Sequence, residues 1–221
     1  MTENLTPAQF DASDGVADWR VISDGACAFF RSSGFAASAA FVQAIAALPR
    51  MGEPGTGVDI RHDGVTVKLL TMSDEWWGPS TRDVALARRV STIAHDLGLV
   101  ADTSAIQSLL IVPGAPDSAA IIPFWRAVLG YEPRQDSPEE DLVDAHDRGA
   151  SFWFEGMNEP RGDGGGAIHI AVWVPYEQAQ ARVEAAIAAG GRLVRDRAPM
   201  WWTLADPAGN EADISTAKNR E

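Results

Sequence analysis

The sequence has a single cysteine, Cys27, among 221 residues, so no intramolecular disulfide can form. It has two lysines against sixteen arginines, and neither half is basic overall. Net charge is −13, spread over both halves: eight basic and twelve acidic residues in 1–100, ten and nineteen in 101–221. A phosphate backbone or an anionic membrane surface needs a basic stripe, so nucleic acid and membranes are excluded as expected partners. No apolar run approaches the ~18 residues of a membrane span. The opening Met1-Thr2-Glu3-Asn4-Leu5 carries neither the basic nor the apolar region of a secretory signal. With one cysteine and no such signal, a cytoplasmic protein is expected. Gly162–Gly166 is glycine-rich but lacks a following Lys-Ser/Thr and precedes a strand, which excludes a phosphate loop. No serine sits in a nucleophile elbow.

What is present is an ordinary globular composition, 46% hydrophobic and 22% charged, with enough apolar residues to bury a core. The pattern divides the chain at about residue 100. Thr6-Pro7 opens a short helix. Trp19–Ile22 and Ala26–Arg31 read as a hairpin around Ser23-Asp24-Gly25, and Gly34–Leu48 has helical spacing. Val58–Arg61 and Val65–Leu69 alternate around Asp63-Gly64, and Arg82–Leu97 is a helix stopped by Gly98. Residues 99–105 read as a linker. Ile106–Val112 is then a strand broken by Pro113-Gly114-Ala115-Pro116, Ser118–Leu129 a helix, Leu142-Val143 an edge strand, and Ala150–Glu155 an aromatic strand. After the loop Met157–Gly166 the pattern restarts: strand Ala167–Val174, helix Tyr176–Ala189, then strands Arg192–Arg195, Trp201–Ala205 and Glu211–Ser215, with Asp206–Gly209 a turn. A strand, a helix and further strands thus occur twice, as an internal repeat.

Two sets of motifs carry resemblances. Asp18-Trp19-Arg20-Val21, the helix around Phe35–Leu48, Val58-Asp59-Ile60-Arg61, Val65-Thr66-Val67 and Thr81–Ala87 resemble the pterin-4a-carbinolamine dehydratase family. That resemblance implies an α-β-β-α-β-β-α domain over residues 1–98 and dehydration of a 4a-hydroxypterin by histidines. At those histidine positions this sequence has Pro54 and Gly55, and Thr71-Met72 replaces a Thr-His pair. None of these titrates near neutrality, so the fold is expected without the chemistry. His62 lies beside the lost positions and reads as a strand-end histidine near solvent. His95 reads as a helix C-terminal cation, His146 as a surface residue and Cys27 as a small core residue.

Pro123–Glu132 (Pro-Phe-Trp-Arg-Ala-Val-Leu-Gly-Tyr-Glu), Ile168-His169-Ile170-Ala171-Val172 and Leu204–Glu211 (Leu-Ala-Asp-Pro-Ala-Gly-Asn-Glu) resemble the glyoxalase-like branch of the vicinal oxygen chelate superfamily. The resemblance implies an α+β fold of paired βαβββ modules over residues 106–221, forming a cupped sheet. It implies Gln107, Glu155, His169 and Glu211 as ligands of a divalent metal (Zn, Ni, Co, Mn or Fe), with Glu155 or Glu211 as the proton-moving base. Strand alternation puts His169, Ala171 and Trp173 on one face and Ile168, Ile170, Val172 and Val174 on the other. Glu211, Asp213 and Ser215 share a face in the last strand. Of eight tryptophans, Trp125, Trp153, Trp173 and Trp202 are the candidates to hold an aromatic ligand. Trp201 and Trp202 alternate, so one of the two faces the cup.

Three functions are therefore expected in order: a metal-dependent lyase, isomerase or dioxygenase acting on a small molecule; a metal-free small-molecule binding protein of the bleomycin-resistance type; and a residual 4a-hydroxytetrahydrobiopterin dehydratase. Both resemblances imply a homodimer.

Overall fold

The structure, a computed structural model, describes residues 3–147, 149–157, 168–205 and 211–220, without the side chains of Phe124, Ala127 and Val128. The loop expected up to Gly166 (from residue 158) and the turn expected over Asp206–Gly209 lie outside the described residues. The chain forms two compact units, residues 1–106 with 217–221, and residues 107–216. No described helix is long and apolar enough to cross a membrane.

The first unit runs α1 (Pro7–Asp11), β1 (Arg20–Ile22), β2 (Gly25–Arg31), α2 (Phe35–Ala46), β3 (Thr56–Arg61), β4 (Gly64–Leu69), β5 (Thr71–Ser73), β6 (Trp76–Gly78), α3 (Thr81–Asp96) and β7 (Val100–Ala101). The main sheet has the order β1-β2-β4-β3, with β7 paired to β2. Thr6 and Gln9 form a capping box at α1, and Ser80 and Asp83 form one at α3, satisfying the amides a helix start leaves open. The core centres on Trp19, Phe30 and Phe41, whose rings meet edge-on at 6.2 and 5.3 Å. Trp19 sends its indole N–H to Ser91 Oγ at 3.0 Å.

Two elements differ from expectation. Residues 71–78 form the β5–β6 hairpin, where the segment after Met72, carrying Glu75-Trp76-Trp77-Gly78, reads as a loop. Residues 99–105 are part of the unit: Leu99 is buried in its core, β7 pairs with Phe30 and Arg31, and a 3-10 turn follows at Thr103–Ala105. A pairing of two residues is too short to leave an alternation signal.

The second unit runs β8 (Ser108–Ala115), α4 (Ser118–Leu129), β9 (Glu132–Pro133), β10 (Asp141–Val143), β11 (Ser151–Trp153), β12 (Glu155–Gly156), β13 (Ile168–Trp173), α5 (Tyr176–Ala188), β14 (Arg192–Arg197), β15 (Trp201–Ala205) and β16 (Glu211–Ser215). Asp117 caps α4 through the Ala120 amide at 3.3 Å, and Gly130 ends it at φ +67°. The sheet order is β14-β15-β16-β13-β8-β11-β10-β9, with β12 also on β8. β8 and β13 pair antiparallel at the centre. Each has a parallel partner at the end of its own module, β11 for β8 and β16 for β13. The repeat read from the sequence is this pairing scheme: a mixed α+β arrangement consistent with a glyoxalase-like fold.

Both helices cover one face of that sheet. Under α4 lie Ile111, Leu142, Phe152 and Phe154. Under α5 lie Val172, Val174, Trp202, Leu204 and Ile214. β8 continues through Pro113 and Gly114, where the sequence predicts a break. Pro113 stands opposite Ile168, the last pair of the ladder, where a missing N–H costs little. Leu142-Val143, expected at the edge, lies between β9 and β11.

Candidate functional site

The face of the second unit's sheet away from the helices follows from strand register. Val112, Leu110 and Ser108 stand opposite His169, Ala171 and Trp173. Ala171 and Trp173 stand beside Asp213 and Ser215, and Asp213 stands opposite Thr203. Residues directly paired across a ladder share a face, so these side chains form one surface, as alternation predicts. Glu155, paired with Gly114, joins the same phase from the far side of β8.

The polar centre of this surface is made of pairs. His169 Nε2 stands 3.4 Å from Asp213 Oδ2, with the two side chains 19% and 15% exposed. Arg195 Nη2 donates to Glu211 Oε2 at 2.8 Å, and Arg195 Nε to Thr203 Oγ1 at 3.3 Å. Burial pushes the Asp213 carboxyl up. Hydrogen bonds from His169 and Thr203, with the charges of His169 and Arg195, outweigh that and hold it below the usual carboxylate range. Asp213 Oδ1 is buried without a hydrogen-bond partner among the described residues.

Of the four expected metal ligands, His169 and Glu211 occupy neighbouring positions on β13 and β16, one residue before the pair Ile170 and Ala212, whereas Gln107 and Glu155 do not join them. Gln107 precedes β8, is exposed, and is out of phase with Ser108, Leu110 and Val112. Glu155 is separated from His169 by β8, about 10 Å of strand spacing. Glu211 is held by Arg195, and His169 by Asp213. Metal ligands must converge on one point at about 2.0–2.2 Å. Among the described residues no group of three or more His, Cys, Asp or Glu is placed to hold a metal ion. As paired here, the described residues do not form a metal centre.

The tryptophans sort cleanly. Trp153 is on the open face and 36% exposed, and Trp173 is on it opposite Ser108. Trp125 is on α4 with its ring 5.3 Å from Phe152, inside the helix-side core. Trp202 is buried under α5, and its neighbour Trp201, opposite Ser215, takes the open face instead. Trp125 and Trp202 are thus core residues. Sequence reasoning passes over Arg195, Thr203 and Asp213 as functional residues. The visible signal is Asp213 two positions after Glu211, in phase with it.

In the first unit, the segments Glu53–Gly55 and Thr71-Met72 meet. Arg82 donates to Glu53 Oε2 at 2.9 Å and to Thr71 Oγ1 at 3.0 Å. Thr71 also donates to the buried Asp83 at 2.7 Å. An ion pair and a helix cap thus join Glu53, Thr71, Arg82 and Asp83. Gly55 has φ +89°, and a Cβ there would lie 2.0 Å from the Leu70 carbonyl oxygen, so no histidine fits this backbone. His62, at the β3–β4 turn, is exposed beside Asp63. His95 pairs with Asp18 at 3.1 Å.

Residues 110–215 match the family model of a glyoxalase-like domain. No curated protein matches the chain. Solved structures similar to it include a glyoxalase/bleomycin resistance protein/dioxygenase superfamily member from Vibrio splendidus 12B01, at 19% identity over 50% of this chain and 99% of that one, with a TM-score of 0.32. A protein from Agrobacterium tumefaciens is 22% identical over 48% of this chain and 93% of that one, TM-score 0.22. A Legionella pneumophila protein described as an NAD-dependent benzaldehyde dehydrogenase is 14% identical over 49% and 97%, TM-score 0.38. Likeness at this level carries no argument about activity. The glyoxalase-like domain coincides with the second unit; the dehydratase likeness of the first rests on its sequence motifs.

Proposed function

We propose that the glyoxalase-like domain binds a small planar molecule on its open face without a resident metal, and that the first unit does not dehydrate pterins. The observation that carries the reading is the pairing of the site's charges. Glu211 is neutralised by Arg195 and His169 is engaged by Asp213, so the carboxylates and the imidazole serve one another. Around them Trp153, Trp173 and Trp201 supply aromatic walls, which suit a planar ligand fixed by a few polar groups.

A tryptophan-fluorescence titration with benzyl alcohol and larger neutral aromatic compounds tests this. Saturable quenching that is indifferent to EDTA and weakened in Trp201→Leu is expected. Quenching that EDTA abolishes and zinc restores would contradict the metal-free reading. Absence of any saturable response would contradict the binding function itself.

A further inference from the structure

The edge strand β14 reads Arg192-Leu193-Val194-Arg195-Asp196-Arg197. In a regular strand Arg192 and Arg195, three apart, would point to opposite faces. The ladder to β15 is shifted between Leu193 and Arg195, and this bulge re-phases the strand. Arg192 then pairs with Ala205, Arg195 with Thr203 and Arg197 with Trp201. Ala205, Thr203 and Trp201 pair in turn with Glu211, Asp213 and Ser215, so all three arginines stand on the open face of the glyoxalase-like domain.

Their states differ. Arg195 is braced by Glu211 and Thr203, which fixes its guanidinium and leaves other N–H groups of the fork to donate. Arg192 and Arg197 are exposed and have no side-chain partner among the described residues. In a chain of net charge −13, the β14 register gathers three arginines on one strand face. Successive same-face positions on a strand are about 7 Å apart, so a small ligand at the central Arg195 is within reach of the long side chains on either side of it.

We infer that this arginine row is the anchor for an oxyanion, so that the ligand of the open face is a small planar molecule bearing a carboxylate or phosphate. The inference rests on the binding reading above and names its ligand class. The guanidinium fork matches either oxyanion in bidentate geometry. Trp201, opposite Arg197, gives the ring a surface next to the charge. The overall negative charge disfavours a long polyanion, which restricts the partner to a small molecule.

Saturation-transfer NMR on the full chain with benzoate, phenyl phosphate, inorganic phosphate and neutral benzyl alcohol tests the inference. Wild type is compared with the double variant Arg192→Gln/Arg197→Gln, which changes only exposed side chains. Benzoate or phenyl phosphate is expected to bind more tightly than benzyl alcohol, more weakly as salt rises, and about tenfold more weakly in the variant, as loss of charge-assisted bonds implies. Benzyl alcohol is expected to bind both proteins alike. The preferred anion distinguishes a carboxylate ligand from a phosphorylated one, and inorganic phosphate alone shows whether the ring is needed. Benzyl alcohol binding with no preference for the anions, or unchanged anion affinity in the variant, overturns the anchor and leaves the binding reading intact. No binding by any probe overturns both.

Discussion

Arg195 reaches from the edge strand β14 across β15 to Glu211 on β16, Nη2 to Oε2 at 2.8 Å. Glu211 is the residue that the glyoxalase-like motif offers as a metal ligand, and its carboxylate instead faces a guanidinium. With Arg195 half exposed, the pair adds little to stability. Glu211→Gln is expected to cost about 0–1 kcal/mol, as exposed ion pairs do. Thermal denaturation checks this, and a loss of several kcal/mol would contradict a weak contribution from the pair.

The Asp213 carboxyl, held below its ordinary range, links the domain's stability to acid. A depressed folded value contributes stability that is present above the unfolded value near 4 and is lost as pH falls through the folded value. Urea denaturation followed from pH 7 to pH 2 should show this loss below about pH 4 in wild type. Asp213→Asn should flatten that part of the profile and cost about 1–2 kcal/mol at pH 7, through loss of the His169 and Thr203 contacts. An unchanged acid limb in the variant would show that Asp213 is not the group responsible.

Trp201 and Trp202 are neighbours with opposite roles. Trp202 is in the core under α5, so Trp202→Ala should destabilise by about 3–5 kcal/mol. Trp201→Leu should leave the melting temperature nearly unchanged and weaken aromatic ligands. Equal destabilisation by the two substitutions would contradict the placement of these rings on opposite faces of β15.

In the first unit, Gly55→His restores a residue type expected of a dehydratase but meets the Leu70 carbonyl and a positive φ. A loss of about 2–4 kcal/mol is expected from strain and overpacking. The variant should not dehydrate a carbinolamine pterin, and wild type should not either. Turnover by wild type that survives His62→Ala would contradict the loss of chemistry.

Much of this molecule is legible in the sequence because its elements repeat with definite periods. Alternation is a two-state property, so it places His169 with Trp173 and Glu211 with Asp213 correctly. The helices announce themselves through Thr6-Pro7 and Gly98, and the strand–helix–strand repeat through its second occurrence. What alternation cannot give is the phase of one strand against another. For that reason alternation cannot check Gln107, which the family resemblance implies as a ligand beside His169, nor choose between Trp201 and Trp202 as the ligand-facing ring. Nor does alternation show which charges pair. Arg195 meets Glu211 only because a bulge at Val194 turns the strand, and a bulge leaves no mark in a hydrophobic pattern. The β5–β6 hairpin, with three residues a side, is below the length at which alternation is readable.

The central claim is that the charges of the open face serve one another in place of a metal. The direct measurement is elemental analysis of protein purified without chelator or a histidine tag, alongside His169→Ala. Metal well below one equivalent in both proteins is the predicted result. Near-stoichiometric metal in wild type that disappears in His169→Ala would contradict the claim.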